Sequence, residues 1–436
     1  MKTFYRLLFY FFLISIVRAE ESDERSDVLR RGLSLREVTS TALANNPGIQ
    51  QALSKWSAAK QRVRQEAAWD DLRLSGNSRA ARFVDVAPNS FADQMVSIEQ
   101  IVPLTGKNLL RGRIAAAKAI EAFEQARREQ LDVLARTRIS YFRLLNGYAQ
   151  LALNRKNAVS VHQIAEVSRS RYEVGKANVA DALAAEVETS KLSESEQDIL
   201  RNISAEQSQL NVLMNRDAFA ALGEPEEAQI NRRIPNLAEA RELMIANRPE
   251  LRIAEARAAT GKTQLELARR NWIPDPAVTL QAQRYNDSRQ AASELDAGVS
   301  FTLPWINPGK YSAAIHEARD NLSVAEKSFE RTSAESLGLL RDALEKVHTA
   351  KHHLDLCNEK LVPQAQQAFE ANQFAYESGK AGFLEWITSQ RNLRDIEATA
   401  RQHLSEYQTA LAELESVVGA DLNLFPSGRV AAEEAK

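Results

Sequence analysis

The spacing of apolar positions separates extended from helical stretches. In 277–285, Val278, Leu280 and Ala282 alternate with Thr279, Gln281, Gln283 and Tyr285; in 294–303, Leu295, Ala297, Val299, Phe301 and Leu303 alternate with Asp296, Gly298, Ser300 and Thr302. A period of two gives a strand one apolar and one polar face. An earlier region repeats this less cleanly, with Leu72 and Leu74 against Arg73 and Ser75, then Val96, Ile98 and Val102 against Ser97 and Glu99. Each run has about the 9–11 residues that a tilted barrel strand needs to cross a bilayer. The intervening segments, 83–93 and 286–293, read as polar loops. Elsewhere the period is helical: Leu337, Leu340, Leu344, Val347, Leu354 and Leu361 are spaced by threes, fours and sevens, which suits helix-on-helix seams. Lys107 to about Val174 and Lys310 to about Ser378 read as very long helices, the second interrupted at Pro363. At 1.5 Å per residue each extends about 100 Å, so it must lie against other long helices.

These elements occur twice. Residues 35–69 match 237–272, with Asn45-x-Pro47 against Asn247-x-Pro249 and Trp69 against Trp272. Val102-Pro103-Leu104-Thr105-Gly106-Lys107 pairs with Leu303-Pro304-Trp305-Ile306-Asn307-Pro308-Gly309-Lys310, and Tyr172-x-x-Gly175-Lys176-Ala177 with Tyr376-x-x-Gly379-Lys380-Ala381. Several matches in one order at one near-constant offset identify a tandem repeat. Each copy predicts a helix of roughly 20 residues after the Asn-x-Pro break, two short strands, a very long helix, the Gly-Lys break and a second helix. The expected division is a signal peptide 1–19, an N-terminal segment 20–32, a first repeat 33–216, a connector 217–235, a second repeat 236–420 and a tail 421–436.

Composition narrows the setting. Gly is 16 and Pro 12 of 436 residues, so turns are scarce. Lys2 and Arg6, the apolar run Leu7–Val17 and the site Val17-Arg18-Ala19 read as a secretory signal, because the run is too short to span a bilayer. The net charge is −2 and becomes more acidic once Lys2, Arg6 and Arg18 are removed, which leaves no nucleic-acid footprint. Cys357 is the only cysteine, so neither an intrachain disulfide nor a zinc-cysteine cluster can form. No cysteine follows the signal to carry a lipid. An exported chain without a transmembrane helix either stays soluble or crosses an outer membrane as strands. Four strands leave two unpaired edges in lipid, so closing a barrel takes several chains. Trp69 and Trp272 open the first strand of each pair and Trp305 follows the last, which suits an interfacial aromatic belt; three core tryptophans where helix meets sheet are the alternative.

The signal peptide, the duplicated unit and the segments RYEVGKANVADALAAE and AYESGKAGFLEWITSQ together resemble the TolC family of outer-membrane efflux ducts, over about residues 33–425. IVPLTGKNLLRGRIAAAKA and FTLPWINPGKYSAAIHEA are most similar to its heavy-metal branch, the CzcC-like proteins, although that branch often carries the lipidated cysteine missing here. The resemblance implies a mainly α protein with a membrane β-barrel: a homotrimer giving four strands per chain to a twelve-stranded barrel, continued by a helical tunnel through the periplasm. It implies outer-membrane lipid, a periplasmic adaptor and an inner-membrane pump as partners, in efflux or type I secretion. Metal, drug, dye and secreted protein all remain open as cargo. A periplasmic coiled-coil scaffold and the adaptor itself are the competing readings; the first leaves the strands unexplained, and the second expects more Gly and one hairpin.

No catalytic motif is present, and neither an enzyme nor a cofactor is expected. His348, His352, His353 and Cys357 form two pairs one helical turn apart but about 100° from each other, and they read as solvated helix-face histidines with a packed cysteine rather than a metal site. Gly175 and Gly379 permit the left-handed conformation that ends a helix and turns the chain. By the resemblance, Gly175, Lys176, Gly379 and Lys380 are tips that dock the adaptor. In the family, carboxylates just past the second tip form the narrowest ring. Glu385 falls on that position and Asp181 is its first-repeat counterpart, while a further acid of some relatives is Thr388 here. Arg171, Lys176 and Lys380 are placed to tie neighbouring helices. The alternative is that both acids only begin helices.

Overall fold

The computed structural model describes residues 32–79, 83, 92–175, 178–228, 234–285 and 289–420. The expected signal peptide, the 421–436 tail and the tip residue Lys176 lie outside them. The first repeat contains α1 (Leu35–Asn45), α2 (Pro47–Ala67), β1 (Arg73–Ser78), β2 (Ala92–Ile101), α3 (Lys107–Glu173) and α4 (Val179–Leu213). The second contains α5 (Leu237–Asn247), α6 (Pro249–Arg270), β3 (Pro276–Tyr285), β4 (Glu294–Phe301), α7 (Pro308–Leu356), α8 (Val362–Glu377) and α9 (Phe383–Val418). The duplication is therefore one of structure, with α3 of the first repeat matched by α7 and α8 together in the second.

The local chemistry explains the breaks. Asn46 and Arg248 precede prolines, which disfavour helical backbone in the residue before them, and both are extended at ψ 123 and 117. Each then caps its own repeat: the Asn46 side-chain amide donates to the Leu213 carbonyl at 3.0 Å, and the Arg248 guanidinium to the Val417 carbonyl at 2.7 Å. The second long helix is not broken at Pro363 itself. A π turn, Cys357–Leu361, precedes it, with the Val362 N–H bonded to the Cys357 carbonyl five residues back. Pro363 has no N–H to give, so the helix takes its extra residue just before it.

The chain divides into two units that cut across the repeats. Among the described residues, one holds those up to Gln50, Arg128–Arg248 and those from Ser336 onward; the other holds those of Gln51–Arg127 and Pro249–Glu335. In the first unit each repeat builds its own core. Val38, Ala42, Ile203, Leu210 and Met214 are buried in one, and their counterparts Ala240, Met244, Tyr407, Leu414 and Val418 in the other. Leu33 bridges to Pro225 in parallel, and the Tyr141 hydroxyl donates to the carbonyl of Leu33 or Glu226, at 2.7 and 2.6 Å. Burial, with the Glu226 charge added, pushes the Tyr141 phenol up to about 12. The segment after α4 is thus clamped onto the first-repeat core. A third core, of Ile164, Ala185, Tyr376, Phe383, Trp386 and Ile387, joins the two repeats.

In the second unit the strands form one antiparallel sheet in the order β1-β2-β3-β4, with β1 and β4 at its edges. The strands lie within a few residues of the expected runs.

Candidate functional site: a two-faced sheet and two hairpin tips

The sheet register sorts the strand residues by face. Leu74 lies opposite Ile98, Ile98 opposite Leu280 and Leu280 opposite Ala297; Val278 lies opposite Val299. Leu74, Val96, Leu280, Leu295, Val299 and Phe301 are all at least half exposed, so none of the described residues covers the apolar face. No helix among the described residues is long and apolar enough to cross a membrane. An uncovered apolar sheet of this size points instead to a lipid-facing surface.

The opposite face carries Ser75, Ser97, Gln281 and Asp296 in one row and Arg73, Glu99 and Thr279 in the next. Ser75 and Ser97 share a hydrogen bond of 2.7 Å, Gln283 donates to Asp296 at 2.6 Å, and Arg73 stands 3.8 Å from Glu99. With Glu294, this face presents three acids against one cation among the described strand residues. Below it, Lys107 pairs with Asp275 at 3.0 Å and donates to the Ile273 carbonyl, while the Thr105 N–H and hydroxyl also reach Asp275. This hook fastens the end of one hairpin to the start of the next.

The register also brings the start of β1, the end of β2, the start of β3 and the end of β4 to one end of the sheet. Trp69, Trp272 and Trp305 stand beside that end and are 59, 37 and 52% exposed; Trp272 makes one edge-on contact with Tyr311.

The tips lie in the other unit. Gly175 and Gly379 both have φ +73, in the left-handed region that side chains with a Cβ disfavour. At the second tip the Gly379 N–H bonds to the Tyr376 carbonyl and the Lys380 N–H to the Ala375 carbonyl, the paired closure of a Schellman end. Lys380 is exposed. The two acids have a local task. Asp181 accepts from the Asn178 N–H at 3.4 Å and Glu385 from the Gly382 N–H at 3.0 Å, each at the start of its helix. Asn178 completes a reciprocal cap by accepting from Ala180, whereas Gly382 has no side chain to do so.

Arg171 ties the two hairpins within one chain. Its guanidinium donates to the carbonyls of Tyr376 and Glu377, each at 3.0 Å, and lies 4.3 Å above the Tyr376 ring. A second tie is less apparent from sequence. The carboxylate of Glu188 on α4 is 1% exposed and meets Arg391 at 2.8 Å and Arg394 at 3.5 Å on α9, with Lys191 at 2.9 Å. Burial pushes its carboxyl up, but the hydrogen bonds and charges of Lys191 and Arg391 outweigh that and hold it below the usual carboxylate range. Its signal is an acid at the apolar spacing Ala185, Glu188, Leu192.

His353 faces His403 with ring centres 5.0 Å apart, while Cys357 is buried in the π turn. Among the described residues no group of three or more His, Cys, Asp or Glu is arranged to hold a metal ion.

A two-faced membrane sheet carried on long duplicated helices defines an outer-membrane channel class. Residues 240–420 match the family described as outer membrane efflux protein. The chain is 24% identical to the probable efflux pump outer membrane protein SepC of Pseudomonas putida, across 85% of this chain and 79% of that one. It is 22% identical to the cobalt-zinc-cadmium resistance protein CzcC of Cupriavidus metallidurans, across 89 and 90%. Its fold superposes on the outer membrane protein VceC of Vibrio cholerae with a TM-score of 0.78, at 17% identity across 88 and 96% of the two chains. Residues 240–420 thus match the outer membrane efflux protein family, and most of the chain is similar in sequence and in fold to outer-membrane channel proteins.

Proposed function

We propose that three copies close their sheets into one barrel and that the assembly is a passive exit duct. It receives cargo from an inner-membrane pump through a periplasmic adaptor and performs no chemistry of its own. The observation that carries this is the sheet, apolar on one face, polar on the other and open at both edges. An open edge leaves unpaired N–H and C=O groups that lipid cannot satisfy, so the structure is completed only by further copies. Trp69, Trp272 and Trp305 then form the aromatic girdle at one membrane interface.

The acid excess of the polar face favours positively charged cargo, in keeping with the likeness to a cobalt-zinc-cadmium resistance protein. Gly175, Lys176, Gly379 and Lys380 form the adaptor-docking tips. Glu385 and Asp181, repeated three times about the axis, line the resting constriction, and Arg171 holds its helices together. Because Glu385 also caps α9, Glu385→Gln separates the two roles: it keeps an oxygen acceptor and removes the charge.

Purified protein should run as a trimer from the outer-membrane fraction and conduct in a planar bilayer with cation preference. Glu385→Gln should weaken that preference while leaving the trimer intact. Lys380→Glu should lower export without lowering the protein level. A parent that remains monomeric in intact membranes would sink the duct itself; unchanged selectivity in Glu385→Gln would remove the gate role alone.

A further inference from the structure

The duplication specifies how neighbouring copies join, given the trimeric duct. A ring made from three two-hairpin chains contains six joints between hairpins. Three lie inside chains, between β2 and β3, and three lie between copies, from β4 to the β1 of the next. Because the hairpins are duplicates, the joint inside the chain is a template for the joint between chains.

The counterparts follow from the register. An apolar residue and a proline follow each second strand, Val102-Pro103 just after β2 and Leu303-Pro304 two residues after β4. Aligning these makes Glu99 the counterpart of Ser300. Glu99 pairs with Arg73 and Ser300 with Ala277 inside their hairpins, so Arg73 is the counterpart of Ala277 and Ser75 of Thr279. Inside the chain Glu99 lies opposite Thr279 and Gln100 opposite Val278. We propose that β4 of one copy pairs antiparallel with β1 of the next in the matching register, Ser300 opposite Ser75 and Phe301 opposite Leu74.

Three observations support this register. Phe301 and Leu74, 56 and 67% exposed, both belong to the apolar face and would meet there, while Ser300 and Ser75 both belong to the polar face. A slip of one residue would turn one strand's apolar side chains toward the polar face. The template also supplies the hydrogen-bond phase: the Val102 N–H bonds to the Pro276 carbonyl at 2.9 Å, so Val102 and Pro276 form a hydrogen-bonded pair, and alternation makes Glu99 and Thr279 a non-hydrogen-bonded one. Ser300 and Ser75 inherit that closer spacing, about 4.5 Å between Cα atoms, which a disulfide can bridge.

Cysteine crosslinking in outer membranes tests the register, in full-length protein with Cys357→Ser. Within one chain positions 75 and 300 sit on opposite edges of a four-stranded sheet, about 14 Å apart across the strands and four residues out of line along them, so a disulfide between them must join two chains. Ser75→Cys with Ser300→Cys should convert most of the protein to covalent trimer on oxidation. Ser300→Cys combined with Arg73→Cys or with Asn77→Cys, registers displaced by two residues, should stay largely monomeric on denaturing gels. If native gels show trimer but the covalent product appears through Arg73→Cys or Asn77→Cys, or through none of the three pairs, the register is wrong and the duct stands. If the parent forms no trimer, the duct fails and the register with it.

Discussion

The two hairpin tips close their first helices alike and differ in their interiors. Gly175 and Gly379 share φ +73, and each is preceded three residues earlier by tyrosine. Yet Tyr376 is 4% exposed while its counterpart Tyr172 is 48% exposed, and Ile387 is 1% exposed while its counterpart Leu183 is 55%. At the second tip Tyr376 stacks on Trp386 at 4.8 Å and meets Phe383 at 6.2 Å, closed over by Ile164 and Ala185 of the first repeat. The duplication kept what the turn requires and let the packing diverge. One tip became a core, and the other kept its apolar side chains on the outside of the chain.

The largest expected effect breaks the comparison at equivalent positions. Ile387→Ala should cost about 2–5 kcal/mol, since it removes buried methylenes and leaves a cavity. Leu183→Ala should stay within about 0.5 kcal/mol. Urea unfolding followed by tryptophan fluorescence measures both. Equal losses would mean that Leu183 is covered in the assembly by another chain.

The next effect concerns what fastens the first tip's helix to the second. Glu188→Gln replaces a buried carboxylate that Arg391, Arg394 and Lys191 surround, and should cost about 1.5–3 kcal/mol at neutral pH. The sign with pH follows from its lowered pKa. A carboxyl held lower in the folded state stabilises it at pH values above the unfolded pKa, and that gain is lost as pH falls through the folded value. The gap between parent and variant should therefore close from about pH 5 downward. Thermal midpoints at several pH values follow it, and a constant gap would assign the loss to packing rather than charge.

The sequence disclosed the backbone better than the packing, for a physical reason. Alternation, Asn-x-Pro breaks and the two glycines act locally, so the strands, the hairpins and the duplication could be read from short windows. The side chains that join the repeats act across long stretches of chain. Arg171 could be marked as a tie, but its acceptors, the carbonyls of Tyr376 and Glu377, lie more than 200 residues away and are backbone atoms without a sequence signature. Asn46 on the Leu213 carbonyl and Arg248 on the Val417 carbonyl share that property, and unlike side chains do the same work. The acids Asp181 and Glu385 were legible as helix starts, because capping needs only a three-residue spacing.

A smaller effect should be shared by both tips. Gly175→Ala and Gly379→Ala add a Cβ that meets no atom within 4 Å, so the cost is the left-handed backbone alone, about 1–2 kcal/mol each. Unfolding midpoints should fall by similar amounts. A much larger loss at Gly379 would show that the backbone, too, has diverged.

The smallest effect sharpens what the buried tyrosine contributes. The Tyr376 hydroxyl is buried with no hydrogen-bond partner among the described residues, whereas its ring carries the stack on Trp386 and the Arg171 guanidinium. A buried hydroxyl without a partner costs desolvation and returns nothing, so removing it should be neutral or slightly favourable. Tyr376→Phe should therefore change stability by no more than about 0.5 kcal/mol and leave channel conductance unchanged, because phenylalanine presents the same ring face to a cation. Tyr376→Leu fills the site with an apolar side chain but offers no ring, and should loosen the Arg171 contact and raise resting conductance. Unfolding midpoints and bilayer recordings of the two variants, taken together, distinguish ring from hydroxyl. Should Tyr376→Phe open the channel as Tyr376→Leu does, the hydroxyl makes a contact within the assembled ring, and the second tip is completed, as the first would be, by a neighbouring chain.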